Sequence, residues 1–274
     1  MLARRSLLSG AIAPLLAAQK SATGFALIGD RYHNSDYIRV ALSRTLVREL
    51  GVSIDFTDET RELTAARLKR HKLLITLRDG FIWPDGYPDE STNAAWVNTG
   101  KPKIVSDPPM PVPAAKPDRK GWITPEQGRA VRRFVEDGGA ALFLHNSTYI
   151  APYNEDFRHT LGAVTANHPP IRPFKVKVTN PDHPITRGVR DFVVTDEQHY
   201  VKYEKDPMHV FLQSVNEDGL TFAGLGASCE AGWAYDYGKG RVCYMAPGHL
   251  LTALWNPEYV KLQQNAVRWL LRQS

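Results

Sequence analysis

Hydrophobic and polar positions along the first half of the chain follow two alternating patterns. Short apolar runs, typical of strands buried on both faces, occur at 24–28, 52–56, 73–77 and 140–144. Longer stretches with apolar residues three or four positions apart, as in amphipathic helices, occupy 36–50, 61–70 and 125–137. Strands that alternate with helices predict βαβ units, and therefore a doubly wound, mostly parallel α/β sheet in a single domain over residues 24–274.

The last third of the chain predicts a β-hairpin and a closing helix. Alternating runs at 232–237 and 241–246 flank the turn sequence Gly238-Lys239-Gly240. Asn256 then precedes Pro257 in the pattern of a helix N-terminus. Shorter strands are predicted at 174–178, 192–195, 209–215 and 221–225.

The first twenty residues have the composition of an export signal. Arg4 and Arg5 precede a mostly apolar run over 7–18 that is too short to span a bilayer. The order "RRSLL" resembles the twin-arginine type. We expect a periplasmic or secreted protein that begins at about residues 17–21 and keeps no stable membrane anchor. The alternative is a frayed N-terminal helix of a cytoplasmic protein.

Residues 79–120 interrupt the α/β pattern. Eight of the nineteen prolines fall in this segment, which excludes a continuous helix or a central strand there. Its aromatic residues indicate an insertion packed against the sheet: Phe81, Trp83, Tyr87 and Trp96. A long insertion of this kind is either a lid or binding loop, or a loop without a functional role.

Charge and cysteine content narrow the function classes. The formal net charge is +5, but most lysines and arginines are interleaved with acidic residues, so no nucleic-acid partner is expected. The two cysteines, Cys229 and Cys243, lie too far apart in the predicted hairpin for a disulfide, Cys243 being opposite about Tyr235. Neither lies in a metal-binding or nucleophile motif. The oligomeric state is left open by the sequence.

Three histidines follow predicted strands. His33 comes after the first strand, His145 after the fourth, and His249 after the last hairpin strand. Carboxyl ends of parallel strands meet at one sheet edge, so these side chains are expected to converge, with Asp196 or Glu197 adding a carboxylate. Such a set is typical of zinc or a similar cation, and equally of general acid–base chemistry. The alternative is that each is a hydrogen-bonded structural histidine.

Two further histidines are harder to place. His199 fits either the same crevice or the surface, and His168, before Pro169-Pro170, is typical of a structured loop.

Five segments in order resemble the ThuA-like family, named for bacterial trehalose utilisation: "DRYHNSDYI", "GGAALFLHNS", "NPDHPITRGV", "FVVTDEQHY" and "YGKGRVCYMAPGHL" with the helix after it. The resemblance implies a flavodoxin-like sheet related to class I glutamine amidotransferases. Those enzymes carry a nucleophilic Cys on the sharp turn after a strand. Here that turn reads "LFLHNS", with His145 near the place of the thiol, so a glutaminase is excluded.

The resemblance also implies a site and a substrate class. In ThuA-like proteins the positions matching His33, His145, Glu197 and His249 line a crevice, and the family is tied to the breakdown of disaccharides and their 3-keto derivatives. We therefore expect a small carbohydrate partner. The three histidines are expected either to hold a divalent cation such as zinc or to move protons, with Glu197 as base or ligand. An extra residue in "DEQHY" leaves open whether Asp196 or Glu197 faces the crevice.

Sugar contacts are predicted at Trp83, Asn146, Tyr200 and Trp233. The leading hypothesis is an enzyme that modifies a glycoside or a keto-sugar. Two alternatives are a non-catalytic sugar-binding or accessory protein with the same crevice, and a structural or protein-interaction domain that has lost its site.

Overall fold

The computed structural model describes residues 22–82, 118–216 and 223–273. Its strands are β1 (Gly24–Ile28), β2 (Ile54–Thr57), β3 (Leu73–Leu77), β4 (Phe81–Ile82), β5 (Asp118–Gly121), β6 (Ala140–Leu144), β7 (Ala163–Asn167), β8 (Arg172–Val178), β9 (Phe192–Asp196), β10 (Tyr200–Tyr203), β11 (Val210–Val215), β12 (Ser228–Tyr237) and β13 (Gly240–Met245). Its α-helices are α1 (Ser35–Leu42), α2 (Ala65–Leu68), α3 (Pro125–Glu136), α4 (Glu155–Leu161), α5 (Leu251–Leu254) and α6 (Pro257–Leu270).

One nine-stranded sheet runs through the protein in the order β2-β1-β3-β6-β13-β12-β11-β8-β9. The five strands from β2 to β13 are parallel, as the βαβ pattern predicts. The strands from β12 to β9 continue the sheet with antiparallel pairs. The prediction of a doubly wound α/β fold with a C-terminal hairpin and closing helix is therefore confirmed.

Two sets of helices cover the sheet. Helix α3 packs on β6 and β13 beside α2 and α4, while α6 packs on the same strands beside the extension of α1. The start of α3 is fixed by a capping box between Thr124 and Gln127, with Pro125 at its first helical position. The central strands β1, β3 and β6 are buried along their whole length because helices lie over them.

Some element boundaries differ from the predicted ones. The helix predicted over 36–50 continues beyond α1 as a π-helix, Ser43–Arg48. The helix predicted over 61–70 is reduced to a 3-10 turn at Thr60–Glu62 and the short α2, because the Thr64 side chain caps a new helix start. The strand predicted at 221–225 is wrong for its described part, since Ala223 and Gly224 have positive φ angles that an extended strand does not accommodate.

A small two-stranded sheet of β7 and β10 was not predicted. The two strands pair antiparallel beside the main sheet. Their sequences are short and follow no clear alternation, so the pairing depends on contacts between distant parts of the chain.

The ends of the insertion lie close together. Strands β4 and β5 pair antiparallel, and the Trp122 indole donates a hydrogen bond of 2.6 Å to the Asp79 carbonyl. Residues 83–117, with Trp83, and the predicted export signal 1–20 lie outside the described residues. Among the helices that are described, none combines the length and the apolar character needed to cross a bilayer.

The hairpin holds the two cysteines apart, as the sequence predicts. Cys243 pairs with Ala234, one residue from the predicted partner Tyr235, and Cys229 pairs with Ser214 on β11. Both thiols are free and buried.

Candidate functional site

Three histidines, here called the strand-end histidines, meet at the carboxyl edge of the parallel strands: His33, His145 and His249. The Nε2 atom of His33 lies 3.1 Å from Nε2 of His145 and 2.9 Å from Nδ1 of His249. Their loops follow β1, β6 and β13, which are parallel members of one sheet. The structure therefore brings together the histidines that the sequence placed after strands.

His145 lies on a sharp turn. Its φ angle is +47°, in the left-handed region that non-glycine residues rarely adopt. The Tyr244 hydroxyl donates a hydrogen bond of 2.7 Å to the His145 carbonyl and holds the turn. A Cβ atom on Gly248 would lie 2.6 Å from the His145 Cβ, so only glycine fits beside it. Strain of this kind costs about 1–3 kcal/mol and is typical of functional positions.

A buried carboxylate orients His33. Asp30 Oδ1 accepts a hydrogen bond of 2.7 Å from His33 Nδ1, and Asp30 Oδ2 accepts one of 2.7 Å from the Asn146 amide. Burial alone would raise the pKa of Asp30, but His33, Arg78 and the Asp79 backbone amide outweigh it and hold that pKa well below its ordinary value. Burial lowers the pKa of His33, although the charge of Asp30 opposes this shift.

The neighbouring carboxylates of Asp196 and Glu197 have different partners. Asp196 accepts hydrogen bonds from the backbone amides of Gly248, at 2.7 Å, and His249, at 3.2 Å, and so fixes the last loop. Burial raises the pKa of Asp196. Glu197 Oε2 lies 3.4 Å from His145 Nε2 and 3.2 Å from His249 Nδ1. Glu197 is therefore the carboxylate that faces the strand-end histidines.

The surroundings of Glu197 keep it ionised. Burial alone would raise its pKa, but hydrogen bonds with His145, His199 and His249 outweigh this and place the pKa far below its ordinary value. Burial alone would lower the pKa of His249, but the nearby carboxylates of Glu197 and Asp196 outweigh burial and raise that pKa above its ordinary value. The cluster therefore contains a fixed negative charge next to several imidazoles.

The ring nitrogens of two strand-end histidines can be assigned from their partners. His145 Nδ1 lies 2.8 Å from the Ala246 carbonyl, which only accepts, so Nδ1 carries the hydrogen. His33 Nδ1 carries the hydrogen that Asp30 accepts. If both Nε2 atoms lack a hydrogen, their lone pairs face each other across 3.1 Å and neither atom can donate to Glu197. A proton or a cation between them would remove the repulsion.

The donor set matches the ligands that zinc takes in proteins. One atom each from His33, His145, Glu197 and His249 lies within 4.8 Å of the other three. Three imidazoles and one carboxylate form a common four-ligand set. The contacts of His33 with Asp30 and of His145 with a carbonyl are the outer hydrogen bonds that orient metal-bound histidines.

Two more histidines adjoin Glu197. The side chain of His199 is 1% exposed, and its Nε2 atom lies 3.3 Å from Glu197 Oε2. His168 Nδ1 lies 3.7 Å from Glu197 Oε1, and its ring stacks on that of His199. The sequence left His199 undecided and assigned His168 to a loop. A signal for His199 was its position two residues after Glu197, because such residues share one side of an extended chain.

Comparison with known families identifies the fold family. The model of the ThuA family, described as trehalose utilisation, matches residues 115–270, which is more than half of the chain. The chain belongs to the ThuA family. The matched region contains three of the four candidate ligands, and His33 precedes it.

Solved structures support the ThuA fold. A putative ThuA-like protein from Bacteroides uniformis superposes with a TM-score of 0.59 at 16% identity, covering 94% of this chain and 95% of that one. A second, from Parabacteroides merdae, gives 0.60 at 12% identity, with 92% and 90% covered. A β-galactosidase from Bacillus circulans sp. alkalophilus gives 0.52 at 13% identity over 94% of this chain and 32% of that enzyme. No protein with a curated description matches the sequence.

The predicted sugar contacts of this ThuA protein occupy different environments. Trp233 is fully buried and its indole donates to the Leu161 carbonyl, so its prediction as a stacking surface is wrong. Tyr200 is 2% exposed and its hydroxyl donates to the Gly226 carbonyl. Asn146 lies in the site beside Asp30 and His33. Trp83 is outside the described residues.

The ThuA site has no thiol at the amidotransferase position. His145 occupies the turn after β6, while Cys229 and Cys243 lie within β12 and β13. Burial raises the pKa of Cys229 to about 12, which leaves it protonated at neutral pH. Neither cysteine can act as the glutaminase nucleophile.

Proposed function

We propose that this ThuA-family protein is an exported enzyme of carbohydrate metabolism, which acts on a disaccharide or a 3-keto-glycoside with the help of a divalent cation. The observation that carries the proposal is the convergence of the four donor atoms of His33, His145, Glu197 and His249 within 4.8 Å of one another. The family description, trehalose utilisation, supports a carbohydrate substrate.

The chain's own residues have separate tasks in this proposal. The strand-end histidines and Glu197 hold the cation, while Asp30 and the Ala246 carbonyl keep two imidazoles in the required tautomer. When bound, a divalent cation polarises a carbonyl or hydroxyl oxygen and lowers the pKa of a bound water. Glu197 stays ionised, as a metal-binding carboxylate must.

Asn146 offers a contact for the sugar. Its Oδ1 atom is buried and has no hydrogen-bond partner among the described residues. Its amide nitrogen is already used by Asp30 Oδ2. Asn146 is 2% exposed, so a sugar hydroxyl would donate to this oxygen only after the loop after β6 moves. An unsatisfied buried acceptor costs about 1–3 kcal/mol until it is paired.

The test combines metal content with turnover. Untagged protein is freed of metal by chelation and reloaded with zinc. It is then incubated with disaccharides and their 3-keto derivatives, and products are identified by mass spectrometry. We expect zinc to raise the melting temperature of the wild type and to restore turnover. His145→Ala should lose both, whereas His159→Ala, which removes an exposed histidine on α4, should keep both. Metal-independent turnover, or none on any substrate, would contradict the proposal.

A second candidate is a sugar-binding accessory protein. The observation that favours it is that four side chains offer ligand atoms to one place, which would fill the coordination of a structural zinc and leave no open position for catalysis. Sugar affinity measured by calorimetry, without formation of product, would favour this candidate.

Export is the second part of the proposal. The twin-arginine-like segment supports it, and N-terminal sequencing of the protein from its native host tests it. A mature start at about residues 17–21 is expected. An intact Met1 on a cytosolic protein would contradict export.

A further inference from the structure

Glu197 lies between two groups of histidines. His199 Nε2 is 3.3 Å from Glu197 Oε2, and His168 Nδ1 is 3.7 Å from Glu197 Oε1. One ligand atom from each of these three residues lies within 4.8 Å of the other two. The strand-end histidines approach the same carboxylate from their own loops. One carboxylate is thus shared by two sets of imidazoles.

His199 has an environment that lacks a structural explanation. Its side chain is 1% exposed, and its ring centroid is 4.1 Å from that of His145. Its Nδ1 atom has no hydrogen-bond partner among the residues that the structure describes. A buried structural histidine ordinarily has both ring nitrogens satisfied, so this ring is better suited to binding a ligand.

His168 can complete a second site from the loop after β7. Its side chain is 30% exposed, and its Nδ1 contacts the carbonyl of its own neighbour, Pro169, at 3.0 Å. The rings of His168 and His199 stack with centroids 5.0 Å apart and planes inclined by 9°. Parallel rings do not direct their lone pairs at one ion, and the Pro169 carbonyl holds the hydrogen of His168 Nδ1. Binding therefore requires the partly exposed His168 ring to rotate.

The two sites would differ in coordination. The first offers four protein ligands, which would be enough to fill the coordination of a zinc ion. The second offers three, which leaves one position for water or a substrate oxygen. The partly exposed His168 places the second site on the side of the cluster that solvent reaches.

We propose that Glu197 bridges two divalent cations, one held by the strand-end histidines and the other by His168 and His199, and that the second cation carries the open coordination position. This inference rests on the proposed function and deepens it. Two-metal sites with a shared ligand hold their ions about 3.5–4 Å apart and clamp the attacking and leaving oxygens of a substrate.

Metal stoichiometry tests the inference directly. Untagged, chelator-treated protein is dialysed against Mn²⁺, and bound metal per chain is measured by elemental analysis. We expect two ions in the wild type, one in His199→Ala, one in His168→Ala, and two in the His159→Ala control. Electron paramagnetic resonance should show exchange-coupled manganese in the wild type and uncoupled manganese in both single-site variants.

Variants are compared only after circular dichroism shows a wild-type fold. His168→Ala keeps the test valid if His199→Ala fails to fold, since His168 is partly exposed. A single ion in the wild type would overturn the bridged pair and leave the proposed function standing. Two ions in both variants would place the second ion elsewhere and also overturn the pair. No bound ion at all would overturn the proposed function as well.

Discussion

At the scale of single residues, the adjacent carboxylates of Asp196 and Glu197 show how one strand end supplies two roles. Successive side chains of an extended chain point in opposite directions. Asp196 therefore meets the backbone amides of Gly248 and His249, while Glu197 meets the imidazoles. One acid builds the loop that carries His249, and the other adjoins that histidine.

The two carboxylates should respond differently to substitution. Asp196→Ala removes the acceptor of three backbone amides, those of Glu197, Gly248 and His249, and each unpaired amide costs about 1–3 kcal/mol when buried. We expect a loss of about 3 kcal/mol or more in the free energy of unfolding, measured by urea denaturation. Glu197→Gln keeps the shape and should change stability by less while abolishing zinc binding. Equal losses of stability in the two variants would contradict this division.

Trp233 is predicted to act through packing alone. Its indole stacks on Tyr244 with ring centroids 4.1 Å apart and is completely buried. Trp233→Ala should lower the free energy of unfolding by about 3–5 kcal/mol, the usual cost of deleting a buried aromatic side chain. Zinc binding per folded molecule should be unchanged. If the variant instead lost sugar affinity while its free energy of unfolding stayed unchanged, Trp233 would be a binding residue.

At the scale of elements, β6 ends in a sharp bend into the 3-10 turn His145–Tyr149. His145 has a positive φ angle there, while Leu144 before it is extended. The parallel strand thus ends in a bend that presents the imidazole at the sheet edge. Tyr244 and Gly248, from β13 and the loop after it, hold the bend in place.

A pair of variants isolates the strain of this turn. His145→Ala keeps a Cβ atom at φ +47°, whereas His145→Gly removes it. Both should lose zinc binding, but the glycine variant should be more stable than the alanine variant by about 1 kcal/mol. Urea denaturation of both proteins gives the difference. An alanine variant at least as stable as the glycine variant would show that the turn is not strained.

At the scale of the whole molecule, the sheet buries several weak acids in protonated form. Burial raises the pKa of Cys229 to about 12 and that of Cys243 above its ordinary value. The hydroxyls of Tyr244 and Tyr259 likewise have pKa values well above the ordinary range, chiefly because of burial. These groups ionise in the unfolded chain before they ionise in the folded protein.

Stability should therefore fall on the alkaline side. Below a pH of about 8.5, the thiol pKa of an unfolded chain, the contribution of the thiols is complete. It is lost as the pH rises toward the folded pKa of about 12 for Cys229. Each buried thiol adds a slope of up to about 1.4 kcal/mol per pH unit. Thiols of unfolded chains ionise between roughly pH 8 and pH 10. Over this range, urea denaturation should show a shallower decline in the free energy of unfolding for the Cys229→Ala, Cys243→Ala double variant than for the wild type. An equal decline in the wild type and the double variant would contradict the conclusion that the buried thiols cause the loss of stability.

Local patterns account for much of the fold. Neighbouring residues alone predict β1, β3 and β6, because burial on both faces requires a continuous apolar run. They also predict the hairpin, through its glycine-containing turn. The pairing of β7 with β10 could not be predicted in the same way. It joins residues that are distant in the chain and share no local signal.

By itself, the sequence determined the α/β class, the hairpin, and the placement of His33, His145 and His249 after strands, since parallel strands bring their carboxyl ends to one edge. Only the tertiary structure decided that Glu197 rather than Asp196 faces them, that His199 and His168 join the cluster, and that Trp233 is a core residue. The direction of a side chain depends on the exact backbone path and on neighbours from distant segments. That information is absent from the spacing of residues along the chain.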